Sequence, residues 1–399
     1  MSNIALSQYP QASPRPQTIL IAILLGLFAL GAIVVSPFGG LKQSVLFLIG
    51  GLFGISLYHA SFGFASSYRK LFVYRDVRGV LAQLLMLAIA TLLFAPFLLA
   101  GSAFGQSLRG AVAPVGVQGA IGAFLFGIGM QLGSGCACGT LYTIGGGSSM
   151  MLLTLLTFGI GSFWASLTGS LWAGLPATEP ISLLKSWGWA GVGLQLALLG
   201  TIALLLWEWR KSAPTAADIP STSDQPFNLK HFLYGPWSLV FGAIVLAILN
   251  GLTLLIAGRP WGVTWGFTLW TAKMAQWLGW NPATSEFWSQ GMGAEALNQS
   301  VFADITSVMN FGIVLGAALA AALAGRLAVK KPVSQWAIVA ALMGGLMMGY
   351  GARLAFGCNV GAYFSGIAST SLHGWLWITF ALLGTGLGIR MRSLFRLSN

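Results

Sequence analysis

Two of the three cysteines in this chain stand in a repeated frame. Residues 127–139 read GIGMQLGSGCACG and residues 349–361 read GYGARLAFGCNVG, sharing G-x-G-x-x-L-x-x-G-C-x-x-G without a gap. Cys136 and Cys358 hold the same place, 358 − 136 = 222 residues apart, and Cys138 follows two residues after the first. The flanking glycines Gly135, Gly139, Gly357 and Gly361 remove side chains, so that backbone can approach a neighbouring helix or a substrate closely. A helix broken at such a frame exposes free N–H groups at the positive end of its dipole, an arrangement suited to an anion. A thiol adds a weak donor and a polarisable contact. Together these groups suit a ligand that is both anionic and sulfur-soft, since an oxygen-only anion needs no cysteine. The plainer alternative is helix packing, because small-xxx-small patterns and buried cysteines are ordinary in membrane bundles. Two in-register copies favour the site over the packing.

Other residues add to the frame. Arg353, five residues before Cys358, lies in an apolar run, where desolvation of a guanidinium is costly and function is the default reading; a backbone carbonyl partner or snorkelling is the alternative. Its counterpart is the neutral Gln131, so the repeat carries no matched charge. Asn359 follows Cys358 directly, and Asn250 and Asn310 are placed to bridge helices. Lys273 and His373 are expected as interfacial residues, and His59 as a satisfied buried histidine. No CxxC is present, which argues against a zinc finger or a disulfide framework, and the His and Met residues are too dispersed for a soft-metal permease. No metal or cofactor is expected. Cys136-Ala-Cys138 keeps a membrane thiol-disulfide oxidoreductase open as an alternative, although the spacing is tight and no base stands beside it.

The elements that must position these residues are membrane helices. Of 399 residues, 56% are hydrophobic and 7% charged, against roughly 25% charged in soluble chains. Ten apolar segments are predicted, at 18–35, 45–67, 80–100, 118–132, 150–175, 187–207, 236–257, 305–328, 335–356 and 372–389. Residues 259–304 are mixed and predict short interfacial or re-entrant helices. The domain reading is a disordered tail over 1–17, a first membrane repeat over 18–211, a cytoplasmic linker over 212–235, a second repeat over 236–392 and a tail over 393–399. The net charge of +12 reads as loops facing anionic lipid and as a field that draws anions, with no call for nucleic acid. Placing the clusters 69–78, 210–230, 326–331 and 390–396 in the cytoplasm closes the count with both termini inside. It also approaches the two cysteine frames from opposite faces, the mark of an inverted-topology repeat. Residues 118–132 make roughly 22 Å of helix, short of the roughly 30 Å hydrocarbon core, which predicts a break near the midplane. The run 335–356 is long enough to span outright. SFGFAS from Ser61 and TWGFTL from Thr264 form a weaker second repeat.

These stretches resemble the YeeE/YedE family of bacterial inner-membrane proteins, closest to the YedE branch. GSGCACGTLY resembles the family's GGCxxGxxY element, and GYGARLAFGCNVGAYFSGIASTSLHGW its G-x-G-A-R-L-A-x-G-C-N element. SFGFASSYRKL resembles the element in which a cysteine precedes F-x-x-x-[FY]-R. The resemblance implies an all-α polytopic fold of two inverted repeats with short or broken helices at the cysteine frames. It implies a permease, not an enzyme, in the bacterial inner membrane, importing thiosulfate or a related small sulfur-containing anion. Cys136 and Cys358 would be relay thiols at a constriction, acting without covalent intermediates. A cytoplasmic sulfur carrier of the TusA type is the partner that related systems imply. The family's outlying cysteine corresponds to Gly63 here, a departure that puts a three-thiol relay in doubt, and Cys138 is an addition without a family role. Other sulfur species and selenium compounds stay open as substrates.

Overall fold

The computed structural model describes residues 15–211, 229–330 and 334–398. Most of the predicted tail (1–14 of 1–17) and linker (212–228 of 212–235) therefore lies outside the described residues. The first half comprises α1 (Thr18–Val35), α2 (Gly40–His59), α3 (Phe64–Tyr74), α4 (Arg78–Ala100), α5 (Val117–Leu132), α6 (Ala137–Gly145) and α7 (Ser149–Leu167). A short α8 (Leu183–Trp187) leads into α9 (Trp189–Lys211). The second half begins with α10 (Leu229–Tyr234), α11 (Leu239–Ala257) and α12 (Thr264–Trp277). Two short helices, α13 (Glu286–Ser289) and α14 (Gly291–Asn298), precede α15 (Ile305–Leu323) and α16 (Gln335–Leu354). A π-helical turn, Asn359–Phe364, then runs into α17 (Ser365–Ala368), and α18 (Leu372–Met391) follows. The only strands among the described residues form a small hairpin, Ser102–Ala103 with Gln106–Ser107. Ten segments are long and apolar enough to cross a membrane. The protein is an all-α polytopic membrane protein.

Helices form because backbone groups in lipid must bond within their own segment; glycine decides how the helices pack. A Cβ on Gly50 would strike the Met309 carbonyl and one on Gly54 the Ile313 carbonyl, while Gly312 faces Phe47 and Gly316 faces Gly51. Residue numbers rise together along both helices, so α2 and α15 run parallel at backbone contact. The same reading pairs α7 with α16, where Gly345 meets Thr154 and Gly349 meets Phe158, and α5 with α18, where Gly384 meets Phe124 and Gly388 meets Ile128. By contrast α5 and α16 run antiparallel, with Gly122 on Gly351 and Gly129 on Gly344.

These directions define the symmetry. The order α2–α3–α4–α5–α6–α7 matches α11–α12–α15–α16–(π turn, α17)–α18, and α5 is antiparallel to its counterpart α16. Contacts exchange accordingly: α2 with α15 answers α11 with α4, and α7 with α16 answers α18 with α5. This is an inverted repeat. Outside it, α1 and α9 expose apolar side chains such as Ile19, Ile33, Leu204 and Leu205, as lipid-facing helices do.

Some boundaries differ from the sequence reading. The second predicted span is broken at 60–63, where Ser61 takes a left-handed φ of 46°, so α3 is a separate short helix. The span predicted over 150–175 stops at Leu167, because the Gly- and Pro-containing residues beyond it form only a short 3₁₀ turn, Gly169–Trp172. Residues 259–304 hold α12, α13 and α14, as the mixed composition implies.

Candidate functional site

Both halves break their helix in the same way. α5 is capped by Gly133 and α16 by Ala355; in each case the next residue, Ser134 or Phe356, adopts a left-handed φ of 58°. For a non-glycine residue that conformation costs roughly 1–2 kcal/mol, and strain of this kind collects at functional sites. Gly357 follows at φ 148°, a conformation open to glycine, and a Cβ there would sit 2.8 Å from the Ala362 nitrogen. Each cysteine is then extended and caps a new helix: Cys136 (φ −95°, ψ −175°) precedes α6, and Cys358 (φ −106°, ψ −165°) precedes the π turn. Cys136 O accepts from Thr140 N at 2.8 Å, and Cys358 O accepts from Ala362 N at 2.9 Å.

Packing gives the depth of the breaks. Gly133 lies against Gly344 and Met348, nine residues or about 13 Å beyond the start of α16. A Cβ on Gly122 would sit 2.7 Å from Ala355 N and from Leu354 Cβ, so the second break lies level with Gly122, eleven residues before Gly133 on α5. The two breaks are therefore about 15 Å apart along the helices, about half the roughly 30 Å thickness of a hydrocarbon core. Non-helical backbone at that depth is tolerated only under protein or beside a cavity.

All three cysteines are buried free thiols. Cys136 Sγ and Cys138 Sγ are 3.4 Å apart, a hydrogen-bonded pair rather than a disulfide. Cys358 Sγ accepts from Val360 N at 3.5 Å. The N–H groups of Gly139 and Gly361 are also directed at the cysteine of their own frame. The helical segments that Cys136 and Cys358 cap, α6 and the π turn, pack against one another. Beside them are polar atoms without partners. Asn359 is fully buried and Tyr68 is 1% exposed; neither the Asn359 amide nor Tyr68 Oη makes a hydrogen bond within 3.5 Å, and the two side chains approach one another. Tyr68 faces Asn359, Tyr363 and Cys136. An unsatisfied buried polar group costs about 1–3 kcal/mol, and orphans next to two thiols point to a polar ligand.

Arg353 is not among the thiols. It lines a cavity of about 960 Å³ together with Gln118, Ser162, Trp265, Phe287 and Gly357. Its guanidinium carbon lies 4.2 Å from the Phe287 ring centre and 5.9 Å from that of Trp265. Among the described residues no carboxylate comes within 4 Å of it. Gly357, the residue before Cys358, also lines this cavity, so Arg353 and the second cysteine frame border the same space. A second cavity of about 570 Å³ is lined by His59, Ser66, Ser67, Lys70, Arg78 and Trp237. At its rim Arg78 Nε and Nη2 donate to Asp76 at 2.9 and 2.8 Å. Those hydrogen bonds hold the Asp76 carboxyl below its ordinary value.

Sequence reasoning missed Tyr68 and Tyr363. Tyr68 was legible only as the aromatic of the F-x-x-x-[FY]-R element. Gly63 caps α3, and a Cβ there would lie 3.5 Å from Tyr142 Oη and 2.5 Å from Ser66 Oγ. His373, expected at the interface, is buried and within 2.7 Å of Ser371 Oγ through Nδ1, because α18 begins beneath α17. His59 is buried as expected, yet its Nε2 has no partner. Lys273 Nζ donates to Leu297 O at 2.8 Å and Gln299 O at 2.6 Å, pinning α14 to α12. Asn250 bridges helices, donating to Ser365 Oγ at 3.2 Å and accepting from Trp261 N at 2.8 Å. Asn310 Nδ2 donates to Val263 O at 2.9 Å.

The family of sulphur-transport proteins matches residues 59–387, a stretch that holds both cysteine frames and their helices. The chain belongs to the sulphur-transport family. Its relatives include the thiosulfate transporter TsuA of Spirochaeta thermophila, 29% identical over 357 residues, which cover 84% of this chain and 95% of that protein. TsuA of Escherichia coli is 25% identical over 354 residues, covering 84% and 91%. The probable transporter YedE of Escherichia coli is 33% identical over 154 residues, covering 39% and 37%. Members of the sulphur-transport family are transporters, and this one is a transporter, not an enzyme.

Proposed function

We propose that this protein is a permease that imports thiosulfate, or a related small sulfur-containing anion, past Cys136 and Cys358. The observation that carries the reading is the pair of helix-capping thiols at mirrored breaks, with the orphaned Asn359 and Tyr68 beside them. The outer sulfur of thiosulfate is polarisable and meets S–H groups; its oxygens meet N–H donors. In this reading Arg353 collects the anion in the large cavity. Gly357 and Gly135 leave the backbone open at the constriction, the Gly361 and Gly139 amides and the Asn359 amide cradle the oxygens, and Cys358 hands the sulfur to Cys136. Cys138, 3.4 Å from Cys136, tunes that thiol by hydrogen bonding. The relatives named as thiosulfate transporters support the substrate class. No bond to sulfur forms or breaks in such a passage.

The cationic clusters favour both termini in the cytoplasm of a bacterial inner membrane. A cytoplasmic sulfur-accepting carrier of the TusA type would then draw substrate inward. The test is growth on thiosulfate as sole sulfur source in a bacterium stripped of its own sulfate and thiosulfate importers. Wild type restores growth; Cys136→Ala and Cys358→Ala, at equal membrane abundance, do not. Growth with all three would remove the thiols from the mechanism, and growth with none would remove thiosulfate as the substrate.

A further inference from the structure

The two ends of the pseudo-symmetric pathway differ. At one end, the cavity beside Arg353 reaches Gly357. Subtracting the repeat offset carries that place to 353 − 222 = 131 and 357 − 222 = 135, that is, to Gln131 and Gly135. There the approach is filled by arginine. Arg392, at the end of α18 and 4% exposed, donates through Nη1 to Gln131 O at 2.6 Å and to Ser134 Oγ at 3.3 Å. Its Nη2 donates to Ser398 O, and its Nε has no partner. A second guanidinium, half-buried Arg69, meets the same glutamine at Oε1, 3.5 Å away, and lies within electrostatic reach of Arg392. Gln131 is itself fixed by donating to Ala65 O at 3.0 Å.

Among the described residues neither arginine has a carboxylate within 4 Å. Buried charges are normally paired, because the attraction must offset the loss of hydration. Here two like charges meet one neutral residue, Arg69 at its side-chain oxygen and Arg392 at its backbone carbonyl. Capping the C-terminus of α5 accounts for Arg392 on the Gln131 carbonyl. It does not account for Arg69, nor for an unpartnered Nε on a side chain this deeply buried.

We propose that Arg69 and Arg392 form a second anion site, beyond Cys136 on the side of the thiols away from Arg353. It takes a small divalent oxyanion, held by charge-assisted bonds from both guanidinium groups. Ser134, two residues before Cys136, joins the site to the thiol. Access is controlled by the chain that follows α18: Phe395 and Leu397 pack with Ile128, Leu132 and Ala340, while Arg392 holds Ser398. An anion arriving from Cys136 draws Arg392 off the Gln131 carbonyl and frees that segment, so the substrate opens its own exit. The direction of passage rests on the permease reading; the binding of the anion does not.

The experiment uses purified full-length protein in the Arg353→Gln background, so that the large cavity contributes no cation. Thermal stability is followed against sulfate and against thiosulfate, replacing chloride at constant ionic strength. Both anions should raise the unfolding midpoint. Arg69→Gln and Arg392→Gln should each raise the half-maximal anion concentration at least tenfold. In chloride alone, Arg69→Gln should melt no lower than its parent, because it relieves repulsion; a purely structural arginine would melt lower when lost. An unresponsive parent, or variants that keep the full response, would overturn the site. A response to sulfate in a protein that imports no thiosulfate would keep the site and remove the permease reading. Normal import with no anion response would do the reverse.

Discussion

Replacing Asn359 by leucine should make the protein more stable and less active. Leucine has the same number and branching of side-chain heavy atoms, but no polar ones. Asn359 is fully buried, and both its amide atoms lack partners. Each orphan costs about 1–3 kcal/mol, so removing two would contribute about 2–6 kcal/mol. Overpacking against the π turn would take back about 1–3 kcal/mol, so at the mid-points, about 4 against about 2, the gain is about 2 kcal/mol. For a chain of this length that corresponds to a midpoint rise of roughly 1–4 °C. Uptake should fall at least tenfold, since a hydrogen bond to a charged ligand contributes about 1.5–3 kcal/mol and 1.4 kcal/mol is a factor of ten. The assay pairs thermal unfolding in detergent with initial uptake of thiosulfate in cells at matched abundance. A lowered midpoint, or wild-type uptake, would refute the assignment of Asn359 as a ligand group and make it a packing residue.

Other substitutions separate capture, architecture and surface charge. Arg353→Gln should raise the half-saturating substrate concentration about tenfold or more while leaving maximal uptake largely intact, because the arginine stands in the approach and not at the thiols; a fall in maximal rate alone would contradict this. Gly349→Val places a side chain on the Phe158 carbonyl and should sharply lower the amount of folded protein in the membrane, measured by fluorescence-detected size exclusion. Gly63→Cys, which restores a thiol next to Tyr142, should become reactive to a small thiol reagent that reaches the cavity lined by Ser66 and Ser67, with labelling compared in the parent. Asp76, whose carboxyl is held below its usual value by Arg78, stabilises the folded state above its unfolded pKa of about 3.9, and that contribution is lost as pH falls through the lower folded value. Asp76→Asn should therefore lower the melting midpoint at pH 7 and flatten its decline on acidification.

The sequence determined the membrane class, because hydrophobic runs and scattered charge are properties of composition and order alone. It also determined the duplication: the frames around Cys136 and Cys358 are colinear, and their glycines mark where backbone must touch backbone. The break after residue 132 was legible from length, since 15 residues of helix are too short to span. The matching break after Leu354 was not, because residues 335–356 are long enough and nothing local forces Phe356 into a left-handed turn. Tertiary packing decides it: α16 is held between α5 and α7 through Gly344, Gly345 and Gly349, and its chain must turn where those contacts end. Tyr68, 68 residues before Cys136, reaches the thiols only because α3 folds back against α4, α5 and α18. Arg392 bonds the chain at the break before Cys136 and Arg353 lines a cavity beside the break before Cys358, although repeat symmetry alone would make the two ends equal. Hydropathy and repetition are written along the chain; which polar groups are buried together without partners depends on distances between helices, and only the folded structure sets those.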